Sequence, residues 1–246
     1  MNNILKRTTL IERAGPDDAS GNASRLVWDL PLRVTHWVLA ISFSGAWITH
    51  YAGAQWFDWH RRLGYVTLVL VAFRILWGFV GTRHARFVNF VRGPRAVNEY
   101  VRNRGRRDLP GHNPLGALSV VAMLTLLLLQ AATGLFANDE IAIAGPFYGW
   151  ISPGTSNRLS AVHEANANVL LALIVLHLLV IAWYALVARR PLVRAMVTGR
   201  KDARAVAPGE AIARSRTALA AAIVVALSVA LAFAIRAAPE ATIALF

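Results

Sequence analysis

Five long apolar stretches constrain the fold of this chain more than any other feature. They occupy residues 32–51, 62–81, 115–136, 164–188 and 217–236. A helix of roughly 20 apolar residues crosses a bilayer core about 30 Å thick, so each stretch is long enough to be a membrane span. The sequence, 56% hydrophobic, therefore predicts an all-α fold: a polytopic membrane bundle with four core helices and a fifth, C-terminal transmembrane helix.

The basic residues predict how the bundle is oriented. Residues 1–33, 82–114 and 189–216 hold 21 of the 26 Lys and Arg residues, whereas 52–59 and 137–162 hold only Arg158. With five spans, the three basic segments lie on one side, which the positive-inside rule assigns to the cytoplasm. We expect a multi-pass protein of the bacterial inner membrane with a cytoplasmic N-terminus and a periplasmic C-terminus. The net charge of +13 then reflects topology and contact with membrane lipids, and no nucleic-acid partner is predicted.

The same pattern divides the chain into three parts. Residues 1–27 are predicted to be an irregular cytoplasmic arm, because polar, Gly and Pro residues dominate them. Residues 28–200 form the four-helix core, and 201–246 comprise a cytoplasmic linker and the fifth helix. The chain has no cysteine, which excludes disulfides, thiolate-bound iron–sulfur clusters and covalently attached c-type haem.

His163 directly precedes the fourth apolar stretch, and His177 lies within it, fourteen residues further along the chain. Fourteen helical residues turn by about 1,400°, close to four full turns, so both imidazoles lie on one face. The rise between them is roughly 21 Å, so they lie at different depths and do not share one metal ion. This spacing suits two separate cofactors, one above the other in the membrane.

Each cofactor needs a second ligand from another helix. His36 in the first stretch matches the depth of His177, and His60 at the start of the second matches that of His163. Two pairs of imidazoles favour two b-type haems, each with two axial histidines. His50 is also fourteen residues after His36, so it is an alternative to His60 that spacing does not exclude. Any single histidine would instead be explained by a hydrogen bond across the bundle.

Three arginines are candidate partners for haem propionates. Arg74 lies fourteen residues after His60, near the level of His36 and His177, and an unpaired charge at that depth is costly. Arg61 and Arg62 are placed to serve the other level, although contact with lipid headgroups explains them equally well. We expect the remaining histidines, His84 and His112, to be solvated or structural.

Four segments carry a resemblance to a known family. "WDLPLRVTHW", "DWHRRLGYVTLVLVAFRILWGFVGTRHARF", "GHNPLGAL" and "HEANANVLLALIVLH" together resemble the bacterial cytochrome b561 family, in particular the cytochrome b subunits of [NiFe]-hydrogenase type. The resemblance covers about residues 28–199.

The resemblance implies a dihaem cytochrome b domain over residues 28–200. His36 and His177 would be the axial ligands near the cytoplasm, and His60 and His163 those near the periplasm. It favours His60 over His50. It also implies electron transfer between the quinone pool, with quinone as substrate, and a periplasmic c-type cytochrome or hydrogenase-like subunit.

Three functions follow as hypotheses. In the first, the chain is an electron-transfer subunit whose periplasmic loop, 137–162, docks the partner through Asp139 and Glu140. In the second, it is a superoxide:ubiquinone oxidoreductase in which Arg61, Arg62 and Arg158 attract the anion. In the third, it is a transporter or membrane anchor without redox function. Whether the chain is an enzyme in its own right is left open by the sequence.

Overall fold

The structure is a computed structural model that describes residues 24–103, 111–141 and 143–239. Its elements in chain order are β1 (Ser24–Leu26), α1 (Leu30–Tyr51), α2 (Phe57–Val80), α3 (Phe87–Phe90), α4 (Pro94–Arg102), α5 (Pro114–Gly134), α6 (Pro153–Leu186), α7 (Leu192–Thr198), β2 (Arg200–Asp202) and α8 (Thr217–Ala237). Short 3-10 turns occupy Ala54–Trp56, Tyr148–Trp150 and Pro208–Glu210. The predicted all-α helical bundle is confirmed.

Four of the described helices are long and apolar enough to cross a membrane by length and composition: Ala54–Val80, Pro114–Gly134, Pro153–Leu186 and Thr217–Ala237. Helix α1 has a similar length, 22 residues, but it includes Arg33, His36 and His50 and is less apolar. Its crossing of the membrane, which the sequence predicts, belongs to the function proposed below.

Helix α2 is the centre of the bundle. The main packing pairs among the long helices are α1 with α2, α2 with α5, and α5 with α6, while α8 packs on α2 and, less extensively, on α1. Helix α6 is therefore close to α5, and only its side chains approach α1 and α2. This leaves a wider gap between α6 and the α1–α2 pair, the gap that the predicted ligand histidines face.

Local sequence explains where two of these helices begin. Asn113 caps α5, accepting a hydrogen bond from the backbone N–H of Gly116 at 2.6 Å. Ser152 caps α6 in the same way, accepting from the N–H of Thr155 at 3.3 Å. Each cap is followed directly by a proline, which suits the first turn of a helix because that position needs no backbone donor.

We call the side of the bundle that carries residues 24–29, 81–103, 111–113 and 187–216 the basic end, and the other side the opposite end. At the basic end, Asp29 is 1% exposed and connects α1 to α2. It caps α1 by accepting from the N–H of Leu32 at 2.7 Å. It also accepts hydrogen bonds from Trp77 Nε1 at 3.1 Å and from the Thr82 hydroxyl.

Asp29→Ala is expected to lower the free energy of unfolding by about 3 kcal/mol, because it removes a helix cap and leaves two buried donors without an acceptor. Thermal denaturation in detergent, followed by circular dichroism, measures the effect. The matched control is Asp58→Ala, which removes an exposed ion pair with Arg61 and should change stability by less than about 1 kcal/mol. Equal denaturation temperatures for the two variants would contradict this role of Asp29.

A two-stranded ladder joins the N-terminal arm to the segment after α7. β1 and β2 pair antiparallel, with Arg25 opposite Lys201. The backbone N–H groups of Val27 and Trp28 both donate to the Gly199 carbonyl, at 2.8 and 3.0 Å. The prediction of an irregular arm is therefore wrong for residues 24–26. Val27 is irregular, and residues 1–23 lie outside the described residues.

The linker before α8 covers the basic end. Within residues 203–216, the Gly209 carbonyl accepts a hydrogen bond from Arg83 at 2.8 Å. The Glu210 carbonyl lies 2.7 Å from His84 Nε2. Burial lowers the pKa of His84, so the ring is neutral at pH 7 and donates its Nε2–H to this carbonyl. The sequence predicts that His84 is either solvated or structural, and the structure gives it the structural role.

Candidate functional site

The structure brings His60 on α2 close to His163 on α6; we call these two residues the outer pair. Their ring centroids are 6.2 Å apart and the ring planes are inclined at 74°. Bonds from histidine nitrogen to a metal are about 2 Å long, so two imidazoles on one metal ion have centroids roughly 6 Å apart. The separation therefore fits one metal ion between the two rings.

Each ring of the outer pair is held through its Nδ1 atom. His60 Nδ1 lies 2.8 Å from the Ala46 carbonyl, and His163 Nδ1 lies 2.9 Å from the Gln130 carbonyl. With Nδ1–H donating to a carbonyl, the tautomer is fixed and Nε2 carries the lone pair that a metal needs. Such bonds commonly orient metal-binding histidines and raise their basicity.

Gly134, at the end of α5, gives the His163 ring its room. A Cβ added at this glycine would lie 2.8 Å from Cε1 and 3.2 Å from Nδ1 of His163. Contacts this short are not tolerated, so any other residue here would displace the imidazole.

Gly134→Ala is therefore expected to shift the His163 ring and reduce binding of whatever the outer pair holds, with the inner site unchanged. The haem content and reduced absorbance spectrum of the purified variant test this. Gly154→Ala is the matched control, since a Cβ at Gly154 meets no atom within 4 Å. A Gly134→Ala protein with unaltered haem content and spectrum would rule out the proposed constraint.

His50 also lies at this level. Its ring centroid is 5.9 Å from that of His60, and the two planes are inclined at 50°. Unlike His60, it is exposed, in the last turn of α1. The outer level thus contains three imidazoles, with His60 between the other two. The preference for His60 over His50 stays a prediction from the family resemblance.

The second pair, which we call the inner pair because it is nearer to the basic end, consists of His36 and His177. These imidazoles on α1 and α6 are close enough to interact electrostatically. His36 Nδ1 is buried and has no hydrogen-bond partner among the described residues. The structure therefore brings His60 and His163 into ring contact and places His36 and His177 within electrostatic range of each other, whereas the role of all four as ligands stays a prediction.

Arg74 lies at the inner level and is 6% exposed. Neither Nη1 nor Nη2 has a hydrogen-bond partner among the described residues. Its guanidinium carbon lies 5.3 Å from the ring of Phe87 and 5.9 Å from that of Phe90. The Asp29 carboxylate is near enough to attract it, but three other groups already donate to that carboxylate. A buried guanidinium with free N–H groups fits an additional anionic partner, such as a haem propionate.

Arg61 and Arg62 have partners of their own. Arg61 forms an ion pair with Asp58 at 2.7 Å, and Arg62 lies 5.6 Å from the ring centroid of Trp59. These contacts suit side chains in the headgroup region. The predicted role of the two arginines towards a haem stays a prediction.

His112, predicted to be solvated or structural, is packed between aromatic rings. Its centroid lies 4.7 Å from that of Trp28 and 4.6 Å from that of Phe90. Burial, together with the positive charge of Arg74, lowers the pKa of His112 to about 3, so the ring is neutral at pH 7.

The sequence analysis did not identify Gln130 and Asn166 as site residues. Both side chains lie beside His163, where Gln130 Nε2 is 3.1 Å from His163 Nε2. Asn166 Nδ2 donates to Gln130 Oε1 at 2.6 Å. The available signal was an amide side chain within an otherwise apolar helix, since such groups seek a hydrogen-bond partner inside the bundle.

Comparison with known proteins identifies the family of this chain. The family model for prokaryotic cytochrome b561 matches residues 27–199. The chain belongs to this family. A member of this family is a membrane cytochrome b, so membership implies b-type haem and transmembrane electron transfer. The match ends before the linker and α8.

Curated relatives in the cytochrome b561 family have similar lengths. A probable Ni/Fe-hydrogenase B-type cytochrome subunit of Rhizobium leguminosarum bv. viciae is 26% identical over 228 residues, covering 78% of this chain and 95% of the relative. Proteins of the same description from Azotobacter chroococcum mcd 1 and Azotobacter vinelandii are each 27% identical over 207 residues, covering 70% of this chain and 86% of the relative. No solved structure matches.

The residues present fit the cofactor that the family implies. The outer rings are spaced for one metal ion, His36 Nδ1 and the Arg74 guanidinium are buried without partners among the described residues, and α6 stands apart from α1 and α2. The absence of cysteine in the chain leaves histidine as the natural iron ligand.

Proposed function

We propose that this cytochrome b561 family member carries electrons across the bacterial inner membrane through two b-type haems, between the quinone pool and a periplasmic redox partner. The N-terminus and the basic end lie in the cytoplasm in this proposal, α1 crosses the membrane, and the C-terminus is periplasmic. The observation that supports it most strongly is the presence of two imidazole pairs at two depths, each with one member on α6.

His36 with His177, and His60 with His163, are the proposed axial ligand pairs. Bound haem supplies a one-electron redox centre at each level. The chain holds the centres at fixed depths, since about 21 Å of helix rise separates His163 from His177. The four histidines are half-buried, and the surrounding protein and lipid would keep water away from both centres and so influence their redox potentials. The buried positive charge of Arg74 lies at the level of the inner centre.

Quinone is proposed to react at the basic end. A cavity of about 530 Å³ is lined there by His84, Phe90, Tyr100 and His112, among others. Aromatic faces and O–H or N–H groups around a cavity suit a flat ring with two carbonyl acceptors. The inner pair is nearer to the basic end than the outer pair is, so an electron from a quinone in this cavity would reach the inner centre first.

The redox partner is proposed to bind at the opposite end, on the connection between α5 and α6. The loop predicted there, 137–162, is shorter in the structure, because α6 begins at Pro153. Glu140 is exposed, as is Asp139, which accepts hydrogen bonds from the N–H groups of Ile141 and Ile143, at 3.0 and 2.8 Å. Ile141 and Trp150 are also exposed, 68% and 49%, which gives this surface both charge and apolar area. The printed names of the relatives support a hydrogenase-like subunit as partner, and a c-type cytochrome is the other candidate.

Transmembrane transfer is tested with the purified protein in vesicles that contain ascorbate, with ferricyanide added outside. We expect reduction of the external ferricyanide in vesicles with the wild-type chain, and loss of most of that activity with His163→Ala or His177→Ala. Protein-free vesicles correct for leakage. An equal rate for the wild type and both variants would contradict the proposal.

The two reaction partners need a separate test. A quinone analogue should reoxidise the dithionite-reduced protein, and soluble cytochrome c should be reduced more slowly when Ile141 and Trp150 are both changed to serine. Unchanged cytochrome c kinetics would place the partner elsewhere. Reduction of the quinone analogue by superoxide, with no protein partner present, would favour the superoxide:ubiquinone oxidoreductase instead, and a colourless protein the transporter or anchor.

A further inference from the structure

Two amide side chains, the half-buried Gln130 on α5 and the buried Asn166 on α6, form a polar contact next to the outer pair. Asn166 is 5% exposed, and both residues lie in helices apolar enough to span a membrane. A polar amide in such surroundings is unfavourable unless its donors and acceptors are satisfied. The two amides bond to each other, and that of Gln130 also contacts His163.

Asn166 determines how the Gln130 amide is turned. Its Nδ2 donates to Gln130 Oε1 at 2.6 Å and to the Leu126 carbonyl at 3.0 Å. Because Gln130 Oε1 accepts the bond from Asn166, Gln130 Nε2 is directed away from Asn166. Gln130 Nε2 lies 3.1 Å from His163 Nε2. The amide therefore presents an N–H donor, rather than its oxygen, to the imidazole.

Gln130 also contacts the other nitrogen of the same ring. Its backbone carbonyl lies 2.9 Å from His163 Nδ1, and the Thr133 hydroxyl lies 3.2 Å from that atom. Gln130 thus contacts both nitrogens of the His163 ring. Its backbone carbonyl fixes the tautomer through Nδ1, and its side-chain amide lies next to Nε2, the proposed metal-binding nitrogen. His163 is the only proposed ligand among the described residues that has a side-chain amide within hydrogen-bond distance.

We propose that Gln130, oriented by Asn166, is a positioning residue that sets the redox potential of the outer centre. The inference rests on the proposed function, since it takes His163 to be an axial ligand. Iron bound to His163 Nε2 would take the lone pair that the amide meets in this structure, so the amide would act there as a dipole beside the centre and not as a hydrogen-bond donor to Nε2. The positive end of that dipole would stabilise the reduced state, which has one positive charge fewer than the oxidised state. Without that dipole, the potential of the outer centre falls, while that of the inner centre is unchanged.

A purely structural role predicts something different. A hydrogen bond with only a structural role is present between α1 and α2. There the buried Ser42 and Thr67 hydroxyls lie 3.0 Å apart, and among the described residues neither bonds to a histidine. Loss of such a helix–helix hydrogen bond would lower the stability of the bundle without shifting the redox potential of one centre alone. The separation of the two potentials therefore distinguishes positioning from packing.

Redox titration of the purified full-length protein, followed by haem absorbance, tests the proposal. The wild type should show two waves, and the wave missing from His163→Ala identifies the outer centre. Gln130→Leu and Asn166→Leu should move the outer wave to lower potential and leave the inner wave in place. Gln130→Met, which keeps the length of the side chain without the amide, should behave like Gln130→Leu.

The matched control is Asn168→Leu, on the same helix, because Asn168 is exposed and bonds only to the Glu164 carbonyl of its own helix. It should leave both waves unchanged. Loss of only the outer haem in both Gln130 variants would show that Gln130 holds the outer site together rather than setting its potential, and would overturn the proposal. Waves that do not move, waves that move together, or loss of both haems would overturn it. Two wild-type waves with no response to the variants would refute this inference and leave the proposed function intact, whereas a wild type without two waves would refute that function.

Discussion

His177→Ala and His163→Ala are each expected to leave the purified protein with one haem instead of two. Each change removes one of the two imidazoles at a single level, and alanine offers no replacement ligand. The remaining level is about 21 Å of helix rise away and should keep its haem. Haem-to-protein ratio and the reduced absorbance spectrum measure the loss, and His36→Ala should reproduce the result of His177→Ala because these two residues are the proposed ligands of one centre.

His60→Ala and His50→Ala distinguish the two candidates for the partner of His163. His60 is within 6.2 Å of His163 by ring centroids and donates to a carbonyl, whereas His50 is exposed and 5.9 Å from His60. We expect His60→Ala to remove the outer haem and His50→Ala to retain both. Haem loss in His50→Ala with retention in His60→Ala would reverse the assignment, and loss of neither would exclude the outer site.

Arg74→Leu is expected to weaken the inner haem selectively. The guanidinium is 6% exposed and its terminal nitrogens have no described partner, so a propionate is the anion that would compensate its charge. Removing one member of a buried ion pair costs about 3 kcal/mol, roughly a hundredfold in affinity. Competition for haem by apomyoglobin measures the release, and Arg74→Lys should recover part of the affinity because the charge is kept.

Arg62→Leu is the matched control for Arg74. Arg62 is exposed and lies over the ring of Trp59, so its loss should leave the release of both haems unchanged. If Arg74→Leu releases the inner haem no faster than Arg62→Leu does, Arg74 has no propionate partner, and its burial needs another explanation.

The long helices were predictable because continuous apolar stretches of membrane length dictate helices whatever surrounds them. The shared face of His163 and His177 was predictable as well, since it depends only on helical periodicity. Helix α1 is the weakest case. Arg33, His36 and His50 dilute its apolar character, so its sequence indicates a helix more firmly than a membrane span.

The features that the sequence analysis missed depend on contacts between distant parts of the chain. β1 is too short and too polar to be recognised without its partner at Arg200–Asp202. Gln130 and Asn166 each look like an isolated polar residue in an apolar helix. Their role emerges only when α5 and α6 pack and the amide of one reaches the imidazole that the other helix carries.

The haem-to-protein ratio of the purified wild-type chain, together with its dithionite-reduced spectrum, tests the central claim most directly. The account predicts two b-type haems per chain, both low-spin, because each iron has two imidazole ligands. One haem per chain would contradict the two-level arrangement, and a protein without haem would contradict the proposed function as a whole.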